Sequence, residues 1–174
     1  MNLSCKHLIN LCSYAHHTLL LVAPFIKEAA LAQLMCHVSE RVEITCVTRW
    51  RPEEIIAGVS DIQILELIHE RPNGRVLLHP RLHAKYYRAD NRALMGSANL
   101  TQRALGLVVP GNLELLVETD PASRELLDFE NNLLSSSVVV DEDLFSSTKQ
   151  AVDHLRIIEY QPPLISESFA STQR

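Results

Sequence analysis

Two short segments in the middle of the chain carry residue types suited to chemistry on a phosphate. The first is His83-Ala84-Lys85, followed by Asp90, and the second is Gly96-Ser97-Ala98-Asn99. If the first segment is a strand, His83 and Lys85 lie on one face of the sheet, because alternate side chains of a strand point the same way. An ammonium is rarely buried without a partner, so this pair indicates an anion site rather than core.

The second segment supplies neutral groups for the same site. Gly96 allows the backbone to approach closely, and Ser97 and Asn99 offer hydrogen-bond donors. The turn-forming stretch Ala89-Asp90-Asn91-Arg92 predicts a β-hairpin that brings Lys85 to the Ser97–Asn99 loop. A histidine, a lysine, a serine and an asparagine around one point would form a phosphate site with a nucleophile.

The order and spacing of these residues resemble the signature of the phospholipase D superfamily. The chain reads His83-x-Lys85-x4-Asp90-x5-Gly96-Ser97-x-Asn99, and Glu114 follows within a predicted strand. The gap between Asp90 and Gly96 is often one residue longer in the family, and the hairpin turn can absorb that difference. The chain resembles the small bacterial phospholipase D-like nucleases in particular. The resemblance extends over residues 1 to about 155.

The resemblance implies a role for each polar residue of the motif. His83 would be the nucleophile that forms a phosphohistidine. Lys85 and Asn99 would hold the non-bridging oxygens and stabilise charge in the transition state. Ser97 would add a hydrogen bond to the phosphate or to His83, and Glu114 would accept from the other nitrogen of His83 and fix its tautomer. The resemblance implies neither a metal nor another cofactor.

Other residues are expected to support the motif. Asp90 and Gly96 would be structural rather than catalytic. Trp50 is a candidate for stacking on a nucleobase, and a rim or interface position is an equal alternative. Four arginines are candidates for contacts with phosphates farther from the scissile bond: Arg49, Arg81, Arg88 and Arg103.

The family's site uses two histidines, whereas this chain contains one HxK sequence. None of the other seven histidines is followed two residues later by a lysine. The resemblance therefore implies a homodimer in which two copies of His83 face each other across a two-fold axis.

Composition limits the classes of protein that fit. The chain has 174 residues, 47% of them hydrophobic, and a net charge of −5, which suits one globular domain and argues against coating of nucleic acid by bulk charge. However, residues 49–103 hold nine basic and six acidic residues, whereas residues 104–174 hold four and twelve. An anionic ligand is therefore expected on the middle third, with solvated surface charge as the alternative.

The cysteines, the apolar runs and the C-terminal composition indicate the compartment and the domain organisation. Four cysteines lack metal-finger spacing and no apolar run approaches the ~18 residues of a membrane span, so we expect a reduced cytoplasmic protein without membrane association. A catalytic domain is expected over residues 1–160, and a partly flexible C-terminal tail over 161–174.

The hydrophobic pattern predicts the elements that position the motif. Helices alternate with strands over Thr18–Ala23, Val42–Thr48 and Arg75–His79. Further strands are expected over His83–Arg88, Ala93–Gly96 and Asn112–Glu118, and helices over Pro121–Leu133 and Asp143–Leu155. This order favours an α/β fold of phospholipase D type, an α-β-α sandwich with a mixed, mostly parallel central sheet and helices on both faces.

The leading hypothesis is a metal-independent phosphodiesterase, a nuclease that cleaves DNA or RNA at a site shared by two subunits. Sequence specificity would come from a partner protein or be absent. One alternative is a phospholipid hydrolase or phosphatidyltransferase, although no basic amphipathic helix indicates membrane docking. The other is a weakly active nucleic-acid-binding subunit of a defence or repair system, which the net negative charge leaves open.

Overall fold

Seven strands form one mixed sheet in the computed structural model, which describes residues 1–159. In chain order the strands are β1 (Thr18–Val22), β2 (Glu43–Thr48), β3 (Arg75–Leu78), β4 (Tyr86–Ala89), β5 (Arg92–Gly96), β6 (Leu116–Thr119) and β7 (Val138–Val139). The helices are α1 (Leu3–Tyr14), α2 (Glu28–Met35), α3 (Pro52–Ile56), α4 (Ile64–His69), α5 (Arg124–Ser136) and α6 (Glu142–Glu159). The predicted tail over 161–174 lies outside the described residues.

The strand order is β6-β5-β4-β1-β2-β3-β7. The strands β1, β2 and β3 are parallel, as their alternation with helices predicts. The other four pairings, β1 with β4, β4 with β5, β5 with β6 and β3 with β7, are antiparallel. The expected α/β class is confirmed, whereas the expectation of a mostly parallel sheet was wrong. A two-residue turn between β4 and β5 allows only an antiparallel pair.

The central strand β1 is buried on both faces. Leu19 and Leu21 belong to a large apolar cluster shared with α1, α2 and α4, whereas Leu20 and Val22 pack in a second cluster with α5. Alternation of the two sets along one strand shows that helices cover both faces of the sheet. The continuous apolar run in the sequence therefore reflects a strand with no solvent-facing side.

Asp90 fixes the β4–β5 hairpin to the start of β1. It occupies the turn with a φ of 49°, a left-handed conformation that aspartate tolerates. Its carboxylate accepts hydrogen bonds from the N–H groups of His16 (2.7 Å), His17 (3.1 Å) and Thr18 (2.8 Å). Burial alone would raise the pKa of Asp90, but these three donors, together with the nearby His17 side chain, hold it below its usual value.

The structure also shows the state of the cysteines and whether a described helix could span a membrane. The four cysteines are free, and Cys5, Cys12 and Cys46 are buried. Burial raises the pKa of Cys12 to about 12, so its thiol stays protonated and packs as a small apolar group. Within residues 1–159, no helix has the length and apolar character needed to cross a membrane.

Candidate active site

His83 and Lys85 lie in an irregular segment immediately before β4, not in a strand as predicted. A turn closed by the hydrogen bond from the Leu82 N–H to the His79 carbonyl (3.0 Å) redirects the chain, and regular pairing begins only at Tyr86. The Lys85 ammonium reaches back and donates to the His83 carbonyl at 3.0 Å. The Lys85 carbonyl accepts from the Gly96 N–H at 3.2 Å, which keeps this segment joined to the end of β5.

Three of the predicted catalytic residues line one cleft. His83, Lys85 and Ser97 surround a volume of about 460 Å³ whose apolar wall includes Leu126 and Phe129 of α5. His83 is exposed and Lys85 is half-buried. The hairpin therefore brings the HxK and GSxN segments together as the sequence predicts, although by a different local backbone.

Glu114 holds Ser97 in place beside this cleft. The Ser97 hydroxyl donates to one carboxylate oxygen of Glu114, and the Asn112 amide donates to the other at 3.1 Å. The Leu115 N–H donates to Ser97 Oγ at 3.1 Å. The predicted hydrogen bond from His83 to Glu114 is not among those that the described residues form within one chain. The carboxylate accepts from Ser97 and Asn112 instead.

Gly96 permits the close approach of two backbones at this point. A Cβ at residue 96 would lie 2.0 Å from the Leu115 carbonyl oxygen, so no side chain fits. The Ser97 N–H donates to the same oxygen at 2.9 Å. The absence of a side chain thus lets the segment before β6 run beside the end of β5 and places Glu114 next to Ser97.

The surroundings of Lys85 lower the pKa of its ammonium group. Partial burial lowers the pKa of Lys85 from its usual 10.5, the nearby Glu114 carboxylate acts in the opposite direction, and the Arg49 guanidinium lowers it further. Glu114 and Arg49 therefore act on the same ammonium with opposite signs. The net effect is a lysine that loses its proton at a lower pH than an exposed lysine does.

Asn99 lies beside a second cleft rather than in the first. It is half-buried, and its Oδ1 atom is buried without a hydrogen-bond partner among the described residues. This second cleft has a volume of about 640 Å³ and is also lined by Arg103. Asn99 and Ser97 belong to one short loop, so the two clefts meet at the GSxN segment.

The structure places Arg49 differently from its expected contact with a distant phosphate. Its Nε and Nη2 atoms donate to Glu54 at 3.1 and 2.5 Å, and its Nη1 atom donates to the Leu82 carbonyl at 2.9 Å. The guanidinium also lies over the Phe25 ring, 5.3 Å from its centroid. Because Leu82 directly precedes His83, Arg49 holds the segment that carries His83 rather than offering its donors to a distant phosphate.

The ring of Trp50 is buried and is therefore not available for stacking on a nucleobase. Its side chain is 9% exposed and packs edge to face against Phe145 of α6, with the ring centroids 6.3 Å apart. A buried ring offers no open face for stacking. Trp50 therefore belongs to the packing between the end of β2 and α6, which neither the stacking role nor a rim or interface position anticipated.

The other three candidate arginines differ in their exposure and in whether they form a salt bridge. Arg81 is exposed and lines a third cleft of about 320 Å³ next to His83. Arg103 is exposed in the cleft that contains Asn99. Arg88, in contrast, pairs with Glu130 at 2.8 Å and joins β4 to α5. Phosphate contacts thus remain predictions for Arg81 and Arg103.

Sequence reasoning missed Phe25 and Glu54. Phe25 follows an apolar strand and looks like a core residue, and Glu54 looks like a solvated residue of a short helix. Arg49 lies 24 residues after Phe25, and its contact with Leu82 spans 33 residues. No local pattern marks such contacts, since only the folded sheet brings these segments together.

Comparison with known proteins identifies the fold. No protein family model matches the chain, and no curated protein matches its sequence. Among solved structures, NucT from Helicobacter pylori is similar with a TM-score of 0.60 and 18% identity, covering 78% of this chain and 89% of that one. Nuc from Salmonella typhimurium, a phospholipase D family member, is similar with a TM-score of 0.58 and 14% identity, covering 79% of this chain and 90% of that one.

The chain has the phospholipase D fold. The phosphatidylserine synthase of Haemophilus influenzae is a further similar structure, with a TM-score of 0.59 and 12% identity over 87% of this chain and 42% of that one. These similarities confirm the fold that the HxK and GSxN segments led us to expect. Within the phospholipase D fold, His83 and Ser97 lie at the junction of β4, β5 and the segment before β6.

Proposed function

We propose that the protein is a metal-independent phosphodiesterase, a nuclease that cleaves DNA or RNA through a phosphohistidine at a site shared by two subunits. The observation that carries the proposal is the cleft in which His83, Lys85 and Ser97 lie together. An exposed imidazole beside an ammonium and a hydroxyl suits attack on a phosphodiester, because one group forms the bond while the others neutralise the charge.

The reaction would proceed in two displacements at phosphorus. A ring nitrogen of His83 forms the N–P bond as the P–O bond to the leaving oxygen breaks, and a second histidine gives that oxygen a proton. Water then attacks the phosphohistidine, loses a proton to the second histidine and releases His83. Lys85 stabilises the negative non-bridging oxygens in both steps.

A second copy of the chain would supply the second histidine. Exposed apolar side chains surround the segment next to the site: Met95, Leu113, Leu115 and Val117. Leu113 is fully exposed and Leu115 is 65% exposed, on either side of Glu114. The strand β6 also lies at the edge of the sheet. A second copy packed here would remove this apolar surface from water and bring the two sites together.

The distribution of positive groups favours nucleic acid over lipid. Arg81 is exposed in a cleft that His83 also lines, and Arg103 is exposed in the cleft that Asn99 lines. Exposed cations in two separate clefts near His83 suit a chain of phosphates better than one headgroup. The similarity to a phosphatidylserine synthase supports a second candidate, phosphatidyl transfer or hydrolysis.

The proposal is tested with purified protein, plasmid, single-stranded DNA, RNA and phosphatidylcholine vesicles, all in EDTA. We expect cleavage of nucleic acid that EDTA does not inhibit and that His83→Ala lowers by about 10³-fold or more. The matched control is His37→Ala, an exposed histidine at the end of α2, which should leave cleavage intact.

Three results would contradict the proposal. Cleavage that requires an added divalent metal would exclude the metal-independent route. Cleavage that survives His83→Ala would exclude the nucleophile. Hydrolysis of the vesicles without cleavage of any nucleic acid would replace the nuclease with the lipid candidate.

A further inference from the structure

A second cleft opens beside the GSxN loop, and neither His83 nor Lys85 lines it. Its volume, about 640 Å³, falls within the ~300–1,000 Å³ typical of small-ligand clefts. Apolar side chains, those of Phe25, Val59 and Val108, share its lining with Asn99, Gln102 and Arg103. We propose that this cleft binds the base and sugar of the nucleotide next to the scissile phosphate, with Phe25 as the surface on which the base stacks. The inference rests on the proposed nuclease function.

Backbone hydrogen bonds fix Phe25 relative to the catalytic loop. The Leu100 N–H donates to the Phe25 carbonyl at 3.2 Å, and the Lys27 N–H donates to the Leu100 carbonyl at 2.8 Å. Ile26 and Leu100 thereby form a parallel bridge. Leu100 directly follows Asn99, so Phe25 and the GSxN loop move as one unit. A base held on Phe25 would therefore be held at a fixed distance from the phosphate.

The Phe25 ring is itself held in place. The Arg49 guanidinium lies over it at 5.3 Å, and Glu54 and the Leu82 carbonyl fix that guanidinium. Phe25 is nevertheless only half-buried and lines the cleft, so part of the ring is open. A ring that is already immobilised loses little conformational freedom when a base stacks on it.

The polar groups of the cleft suit a nucleotide. The half-buried Asn99 contributes its side chain to the lining, and the exposed Arg103 brings a positive charge. Thr101, Gln102 and Asn112 add hydrogen-bonding side chains to the lining. Base stacking of this kind tolerates any base and needs an unpaired one, so the cleft favours single-stranded or frayed substrate.

The test compares three p-nitrophenyl esters that share one leaving group. Two carry thymidine, as the 5′-phosphate or the 3′-phosphate ester, and the third is p-nitrophenyl methyl phosphate, which has no base. For each protein we measure the ratio of kcat/KM on a thymidine ester to kcat/KM on the methyl ester. The wild type should prefer one thymidine ester by about tenfold or more.

Two variants separate stacking from folding. Phe25→Tyr keeps the ring and should keep the preference, whereas Phe25→Leu keeps an apolar side chain without a ring and should lower it several-fold. Circular dichroism and thermal unfolding establish that both variants are folded. Because the readout is a ratio within one protein, a general loss of activity does not change it.

The possible outcomes distinguish the two proposals. A wild-type preference that Phe25→Leu leaves unchanged would overturn the role of Phe25. Equal rates of the wild type on all three esters would overturn the base cleft while leaving the phosphodiesterase in place. If the wild type hydrolyses none of the esters and no nucleic acid, the proposed function fails and the cleft with it.

Discussion

In the proposed mechanism, Lys85 must carry its proton to stabilise the negative charge that develops on the phosphate. Partial burial lowers its pKa below 10.5, Glu114 counteracts this shift, and Arg49 reinforces it. The protonated, active form therefore exists below this lowered pKa and is lost as the pH rises through it. The rate should accordingly fall, on the alkaline side of the pH profile, at a lower pH than it would if the lysine were fully exposed.

Opposite shifts are expected when the two charged neighbours of Lys85 are neutralised. Arg49→Gln removes a positive charge, raises the pKa of Lys85 and should move the alkaline limb of kcat/KM to higher pH. Glu114→Gln removes a negative charge and should move the limb to lower pH. The measurement is hydrolysis of a p-nitrophenyl ester across the alkaline range, where the position of the limb is independent of the rate itself.

Glu118→Gln serves as the control for these two variants. Glu118 is largely exposed on β6 and pairs with Arg92, so its loss should leave the limb in place. Shifts of Arg49→Gln and Glu114→Gln in the same direction would contradict the electrostatic account of Lys85.

The types of the site residues could be predicted from the sequence better than their contacts. The segments that hold His83, Lys85 and Ser97 were identified from spacing, and they do share a cleft. The partners of Arg49 and Trp50 could not be found in this way. Their environment depends on Glu54, Leu82 and Phe145, which come from α3, the segment before β4 and α6.

At the scale of elements, Asp90 joins the hairpin of β4 and β5 to the junction of α1 and β1. Three backbone N–H groups donate to its carboxylate. Hydrogen bonds to a charged acceptor are among the stronger ones in proteins. The turn residue thus helps hold the segment before β4, which carries His83 and Lys85, against the central strand.

Asp90→Asn should lower the free energy of unfolding at neutral pH by about 1–2 kcal/mol. Asparagine tolerates the same left-handed turn, so the change isolates the charge. The pKa of Asp90 is lower in the folded chain than its usual 3.8, so its stabilisation is present above that value and is lost as the pH falls through the folded pKa. The difference between the two proteins should therefore shrink on acidification.

Urea unfolding at neutral pH and at about pH 3 measures this difference. Asp128→Asn is the control, since Asp128 is exposed on α5 and its nearest cation, Arg124, is 3.9 Å away. A difference between wild type and Asp90→Asn that is the same at both pH values would contradict the account.

The order of the sheet could be predicted only in part. The apolar and β-branched strands β1, β2 and β3 follow the alternation of helices and strands, and their parallel pairing is confirmed. The position of β4 beside β1 has no local signal, because strand order depends on contacts between distant segments. The predicted strand over His83–Arg88 also began too early, since the turn at His79–Leu82 delays pairing until Tyr86.

At the scale of the whole molecule, one chain provides half of the proposed site. It contains one HxK segment, and exposed leucines flank Glu114 beside it. The negative net charge of −5 coexists with exposed arginines in two further clefts, Arg81 in one and Arg103 in the other. In the proposed dimer, an acidic chain would therefore present a positive centre.

The most direct test of the shared site is the activity of mixed dimers. Wild-type and His83→Ala chains are unfolded together, refolded at constant total concentration and assayed for nuclease activity as the wild-type fraction is varied. If both copies of His83 serve one site, only dimers of two wild-type chains are active, and activity follows the square of that fraction. An equal mixture should then retain about one quarter of the activity, whereas a retained activity of about one half would contradict the shared site.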